Sequence, residues 1–376
     1  MPSSHTDTAK RQSHYTQLEH EQHVAAERHE ITKTIAEVAI IDPELLEYED
    51  ARRLIELGAK IGAHVTRDFG SPDNPKWAVG TFETKPVFMT YHNGGPDGHT
   101  SIGQKGAGVA RNALLLAAAV NKEAGRDVYD PLMRSEGFCG SMAHDSRQLC
   151  GRALIRDENG GAGPHGDEIL SANDVRDQYL TAGGEPDTAA RLHNGVLATA
   201  FNPRTGAQNV RYEAWDADPD DPELTKDILM QELLAAADLL GPTSRRGPLG
   251  AVEYAIEAMC LHQKNQIIQR RLAAYNLDPA QDVVDVEHML DILHADEQLR
   301  TTFADTLEGQ SKFFGEYLQY SDKAIRKVCG KGVAELFPGL KENSIILAEY
   351  VNMLRDGTAT PKNIYHLARA HAGYGD

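Results

Sequence analysis

Apolar residues recur every three or four positions along most of this chain, and the breaks between runs fall at Pro, Gly and Asp. From Asp42-Pro43 onward Leu45, Leu46, Ala51, Leu54, Ile55, Leu57 and Ile61 share one helical face, because residues three and four apart are neighbours on a 3.6-residue turn. The same spacing predicts helices over 109–119, 138–149, 189–200 and 224–240, the last stopped by Gly241-Pro242. Helical patterns continue over 250–275, 284–294, 298–320, 323–336, 343–354 and 361–371. Two short segments, 77–82 and 87–91, read as extended, and a Gly-rich loop covers 157–166. The expected fold class is therefore all-α, with minor and local β content.

A chain of 376 residues exceeds a single core of ~250–300 residues, so a main domain with additions is expected. The reading divides it into a polar, His-containing extension over 1–40, a helical metal-binding domain over 41–250, and a C-terminal helical region over 251–376. That last region packs on the core or forms a homo-oligomer interface. With 38 basic and 56 acidic residues the formal charge is -18, which argues against a partner such as long nucleic acid. Cys139, Cys150, Cys260 and Cys329 have no paired spacing and read as reduced thiols. The first residues lack the apolar core of a secretory signal and no run is long enough to cross a membrane, so the expected location is cytoplasmic, with no membrane partner. His5, His14, His20, His23 and His29 are irregularly spaced and are not assigned a site.

His144 and Asp145 are sequence neighbours inside Ser141-Met142-Ala143-His144-Asp145-Ser146-Arg147-Gln148-Leu149, which reads as a buried helix. Adjacent side chains on a helix point about 100° apart, so both reach one cation only if it lies against the helix backbone. Further donors must then come from elsewhere in the chain. In order these are His92 in Tyr91-His92-Asn93, His99, then His165 ahead of Gly166-Asp167-Glu168, then His193 and Asp238.

This order of donors resembles the HD-domain superfamily of metal-dependent phosphohydrolases, a helical fold named for an adjacent His-Asp pair. Tyr91-His92-Asn93 with His99-Thr100, Asp167-Glu168-Ile169-Leu170-Ser171-Ala172, and Ala236-Ala237-Asp238-Leu239-Leu240-Gly241 are similar to elements of one subgroup. The resemblance covers about 85–247 and leaves the first 40 residues and the C-terminal third aside. It departs from the subgroup at Asp167, which stands for Asn, and at Phe201, where a histidine is expected. The resemblance implies an HD-type helical bundle with additional C-terminal helices. It also implies a ligand set of His99, His144, Asp145 and Asp238, with His92 competing as first ligand and His165 and His193 as donors to a second ion.

Imidazole and carboxylate donors without thiolate suit Mn, Fe, Co, Ni or Zn, as one or two divalent ions. Such an ion activates water and polarises a phosphate ester. The expected reaction is hydrolysis of a small-molecule or nucleotide phosphate, with Lys105, Arg147 and Arg152 supplying positive charge and Glu168 a further carboxylate. Arg111 is likewise within reach of the motif in sequence, and Arg245-Arg246 after Asp238 forms another candidate cluster. Two other readings remain: a di-iron oxygenase on the same fold, which needs both His165 and His193, and a metal-binding module without catalysis. Phe313, Tyr317 and Tyr320, at helical spacing, read as a packing stripe.

Overall fold

Local signals set most helix ends. The computed structural model describes residues 24–25, 27–69, 108–146, 166–202, 207–240, 247–261, 286–337 and 339–373. The first helix, α1, runs over 27–41 and breaks at Asp42 into a 3-10 turn, Pro43–Leu46. Next come α2 (Glu49–Phe69), α3 (Val109–Ala124), α4 (Pro131–Ala143), α5 (Gly166–Thr181) and α6 (Pro186–Ala198). Asp130 starts α4 by accepting the Met133 N–H at 2.9 Å, with Pro131 at the first helical position, where its missing donor does no harm. Gly125, at φ 64°, ends α3 in the left-handed conformation that favours glycine.

The two-residue strands β1 (Phe201–Asn202) and β2 (Ala207–Gln208) pair antiparallel. They precede α7 (Glu213–Ala217), α8 (Pro222–Leu240) and α9 (Pro248–Leu261). The C-terminal part holds α10 (Val286–Ala295), α11 (Glu297–Lys312), a π turn (Phe313–Tyr317) and a 3-10 turn (Leu318–Tyr320). It ends with α12 (Lys323–Cys329), α13 (Val333–Leu336), α14 (Gly339–Arg355) and α15 (Pro361–His371). Among the described residues the fold is all-α apart from the small hairpin, and no helix there is long and apolar enough to cross a membrane.

Helix α8 is buried almost all round, from Ile228 to Leu240, and α4 from Met133 to Ala143. Glycines let them touch closely: a Cβ at Gly137 would meet Leu233 Cδ2 at 2.7 Å, and one at Gly140 would meet Leu234 Cδ1 at 2.7 Å. Helix α6 joins them at Gly195, where a Cβ would stand 2.4 Å from the same Leu234 methyl. A side chain at any of these positions would force the facing leucine methyl to shift.

One apolar cluster runs from α3 and α8 into the C-terminal helices, joining Leu116, Leu233 and Leu240 to Phe303, Leu347 and Ile364. Two smaller clusters flank α4. One joins Leu54, Ala143, Val175 and Leu192, and the other joins Val38, Leu45, Ile55, Leu114 and Phe138. Val38 of α1 lies in the core, with Ile35 and Ile41 packed against the same cluster. Arg134 fastens that end of the chain, with Nε 2.7 Å from Asp42 and a second nitrogen on Glu44.

Three sequence expectations change. The helix expected over 138–149 ends at Ala143, and His144, still at helical φ and ψ, and Asp145 lie in the turn that follows it. The helix expected over 323–336 is two helices, because Gly330 at φ 78° closes α12. The helix expected over 298–320 changes to π and 3-10 geometry after Lys312. The extended segments at 77–82 and 87–91 and nearly all of the Gly-rich loop lie outside the described residues.

Candidate metal centre

His144 occupies the C-cap of α4, with helical φ −54° and ψ −38°, and Ser146 N–H donates to the Ala143 carbonyl at 2.9 Å to close the turn. The ring is 2% exposed. Its Nδ1 lies 2.7 Å from the Ser141 carbonyl oxygen. A carbonyl only accepts, so Nδ1 carries the proton and Nε2 is left to face the other way.

What Nε2 faces is two carboxylates. Asp145 Oδ2 and Asp238 Oδ1 each stand 3.4 Å from it. Both spacings exceed the ~2.7–2.9 Å of a charge-assisted hydrogen bond. In the neutral ring a lone pair would point at two negative groups, so this corner requires a positive charge, either a proton or a cation. Burial works against a charged ring here, but the carboxylates of Asp145 and Asp238 and the Ser141 carbonyl outweigh it and raise the His144 pKa to about 9.

Asp238 is held in place from its far side. Gln208, on β2, donates from Nε2 to Asp238 Oδ2 at 3.1 Å and to the Thr199 carbonyl at 3.3 Å. Asn112 of α3 donates to the carbonyl of Ala237, next door, at 3.4 Å. The close α4–α8 contact explains the meeting itself: His144 follows Gly140 by four residues and Asp238 follows Leu234 by four. His144 and Asp238 thus sit one turn above the glycine contact.

The other expected donors divide. His193 is on α6 with Nδ1 3.5 Å from Asn194 Oδ1, and its pKa is lowered by burial and by Arg176 and Arg211. It does not join the His144 corner. Glu168 lies near the start of α5, with its Oε2 buried. His92, His99, His165, Lys105, Arg147 and Arg152 lie outside the described residues. Cys139, one turn before His144, is fully buried and its thiol is pushed far up by burial, so it offers no thiolate. Among the described residues no group of three or more His, Cys, Asp or Glu is arranged so that it could hold a metal ion.

Compared with protein-family models, curated proteins and solved structures, the chain matches none. The supporting partners of the corner, the Ser141 carbonyl, Gln208 and Asn112, escaped the sequence reading. Ser141 stands three residues before the histidine, the separation at which a ring can reach back to a backbone oxygen. Gln208 has no comparable signal, since only the hairpin fold carries it to Asp238.

Proposed function

We propose that this chain is an HD-type helical metalloenzyme that hydrolyses a phosphate ester of a small molecule or nucleotide. The observation that carries the reading is His144: with Nδ1 committed to Ser141, its Nε2 shares one space with Asp145 and Asp238. One imidazole and two carboxylates fit Mn, Fe, Co, Ni or Zn better than an all-oxygen Ca or Mg site. A complete set calls for the carboxylates to draw in and for a further donor, a place the reading gives to His99 or His92. When bound, the ion supplies a Lewis acid for a phosphoryl oxygen and activates the attacking water.

The remaining work belongs to the chain's own groups. Ser141 fixes the tautomer and direction of His144, and Gln208 fixes the direction of Asp238, the supporting roles that tune ligand geometry in such sites. Lys105, Arg147 and Arg152 are assigned to charge neutralisation at the phosphate, and Glu168 to proton transfer. The position of His193 among Arg176, Arg211 and Asn194 favours one ion over two and counts against the di-iron oxygenase reading.

Elemental analysis of protein purified without added metal, compared with His144→Ala, tests the reading. About one transition-metal ion per chain, lost in the variant, and phosphate release from a panel of phosphate esters support it. Asp145→Ala should abolish both while keeping the helical content; full turnover in that variant would falsify the assignment. Two irons per chain would revive the oxygenase, and no metal after reconstitution would leave a binding module.

A further inference from the structure

Among the buried residues of α8, from Ile228 to Leu240, only Gln231 and Glu232 are polar. Both side chains bind one stretch of chain, residues 209–212, which follows β2 and belongs to no helix or strand. Gln231 Oε1 accepts the Arg211 N–H at 2.9 Å, and Glu232 Oε1 accepts the Tyr212 O–H at 2.6 Å. At the near end of the stretch Gln208 donates to Asp238, and the Asn209 N–H donates to the Ala200 carbonyl at 3.0 Å. The chain from Gln208 to Tyr212 therefore runs along α8 and is fastened to it by Asp238, Gln231 and Glu232. Gln231 and Asp238 stand two turns apart on nearly one face of the helix, a rise of ~10.5 Å. The chain from Gln208 to Arg211 spans at most ~11 Å, which matches that rise.

Glu232 holds more than the tyrosine. Its oxygens also accept the Ala324 and Ile325 N–H groups at 2.8 Å each, and Lys323 places its ammonium 4.3 Å from the centre of the Tyr212 ring. The carboxylate is fully buried, and donors from two separate parts of the chain set its direction. Buried charged groups can often be exchanged for apolar side chains with little loss of stability, so the use of this one is read from what it positions. On one side that is Tyr212 with the chain leading back to Gln208, and on the other the start of α12.

We infer that Glu232 and Tyr212 are positioning residues of the metal centre: their hydrogen bond fixes the chain after β2, which keeps the Gln208 amide on Asp238 and ties the C-terminal helices to the site. The inference rests on the metal reading of the His144 corner. Chelator competition with Zn2+ and with Mn2+ on the full chain tests it, in Tyr212→Phe, Gln208→Leu and the double variant. Tyr212→Phe should weaken uptake about threefold to tenfold in the wild-type background and by less than about twofold beside Gln208→Leu, because its effect passes through that amide. Equal losses in both backgrounds, or none in the wild type, overturn the inference. If thermal melting shows Tyr212→Phe to be unfolded, Gln231→Leu, which releases Arg211, takes its place in the same cycle. Hydrogen exchange supplies a reading without metal: the Asn209 and Arg211 amides should exchange about tenfold faster in Tyr212→Phe than in the wild type. Amides that do not respond overturn the inference whatever the metal result. Amides that respond in a protein that takes up neither ion leave Glu232 and Tyr212 as the fastening of Gln208 and remove the metal reading.

Discussion

Gly140 of α4 lies so near Leu234 of α8 that a Cβ at Gly140 would stand 2.7 Å from the leucine Cδ1. The same methyl is closed in on another side by Gly195 of α6. Leu234 is fully buried, so it has little room to turn away. Gly140→Ala gains ~1 kcal/mol of helix propensity against ~1–3 kcal/mol of overpacking. A net loss of about 1 kcal/mol in urea denaturation is expected, together with weaker metal uptake because His144 is displaced from Asp238. Adding Leu234→Ala should cost less in the Gly140→Ala background than in the wild type. Strict additivity of the two changes would show that the contact is not shared.

Gln208→Leu keeps the volume of the side chain but removes the amide that holds Asp238. Loss of such a supporting bond typically costs ~10–100-fold in metal affinity. Competition with a chelator of known affinity should show a decrease in that range with little change in melting temperature. Unchanged affinity would mean that Asp238 is not a ligand or needs no support.

Glu232, on α8, gives the fold a pH dependence. It accepts Tyr212 O–H at 2.6 Å and the N–H groups of Ala324 and Ile325 at 2.8 Å each, which ties α12 to α8. Burial raises its pKa to about 7, with the Asp322 charge adding and the three donors opposing. A folded-state pKa above the unfolded value means that the folded chain binds the extra proton. This contribution to stability is therefore full below the ordinary carboxylate range and is lost as pH rises through about 7. Denaturation at pH 5 and pH 8 should differ by ~2–3 kcal/mol from this group. Glu232→Gln should be less stable at pH 5 and should flatten the profile between the two. A variant profile as steep as the wild type would place the titration elsewhere.

Arg191 holds Glu136 by two hydrogen bonds, at 2.6 and 3.0 Å, and the glutamate side chain is fully buried. Burial raises the Glu136 pKa in spite of the arginine. Arg191→Met should cost ~3–5 kcal/mol, because it leaves a buried carboxylate without its partner. Pairing it with Glu136→Leu should recover much of that loss, since removing both charges also removes their desolvation. The double-mutant cycle in urea measures this, and equal losses in the single and double variants would refute it.

Much of the helical order was legible because its signals are local. Pro361 after the Thr360 cap opens α15, where Thr360 and Asn363 exchange backbone hydrogen bonds, and the apolar run of α8 marks a helix buried on every side. The end of α4 was not legible, since Met142 and Ala143 continue the apolar pattern into the turn that aims His144. The break at Gly330 is a matter of one left-handed residue within a periodic stretch. His144, Asp145 and Asp238 could be named from residue type and order, but Gln208 reaches Asp238 across 30 residues through a hairpin of two paired positions per strand. The partner choices of Arg191 and Arg134 are likewise set by helix packing, over separations of 55 and 92 residues.

Glu232 and Asp238 lie six residues apart on the same helix, one gripping the start of α12 and the other facing His144. Apolar residues of α8, among them Leu233 and Leu240, belong to the same continuous core as Phe303, Leu347 and Ile364. A chain cut after α9 would therefore not be a smaller version of this protein. It would lose the wall against which its central rod is set, and with it the fixed position of the aspartate.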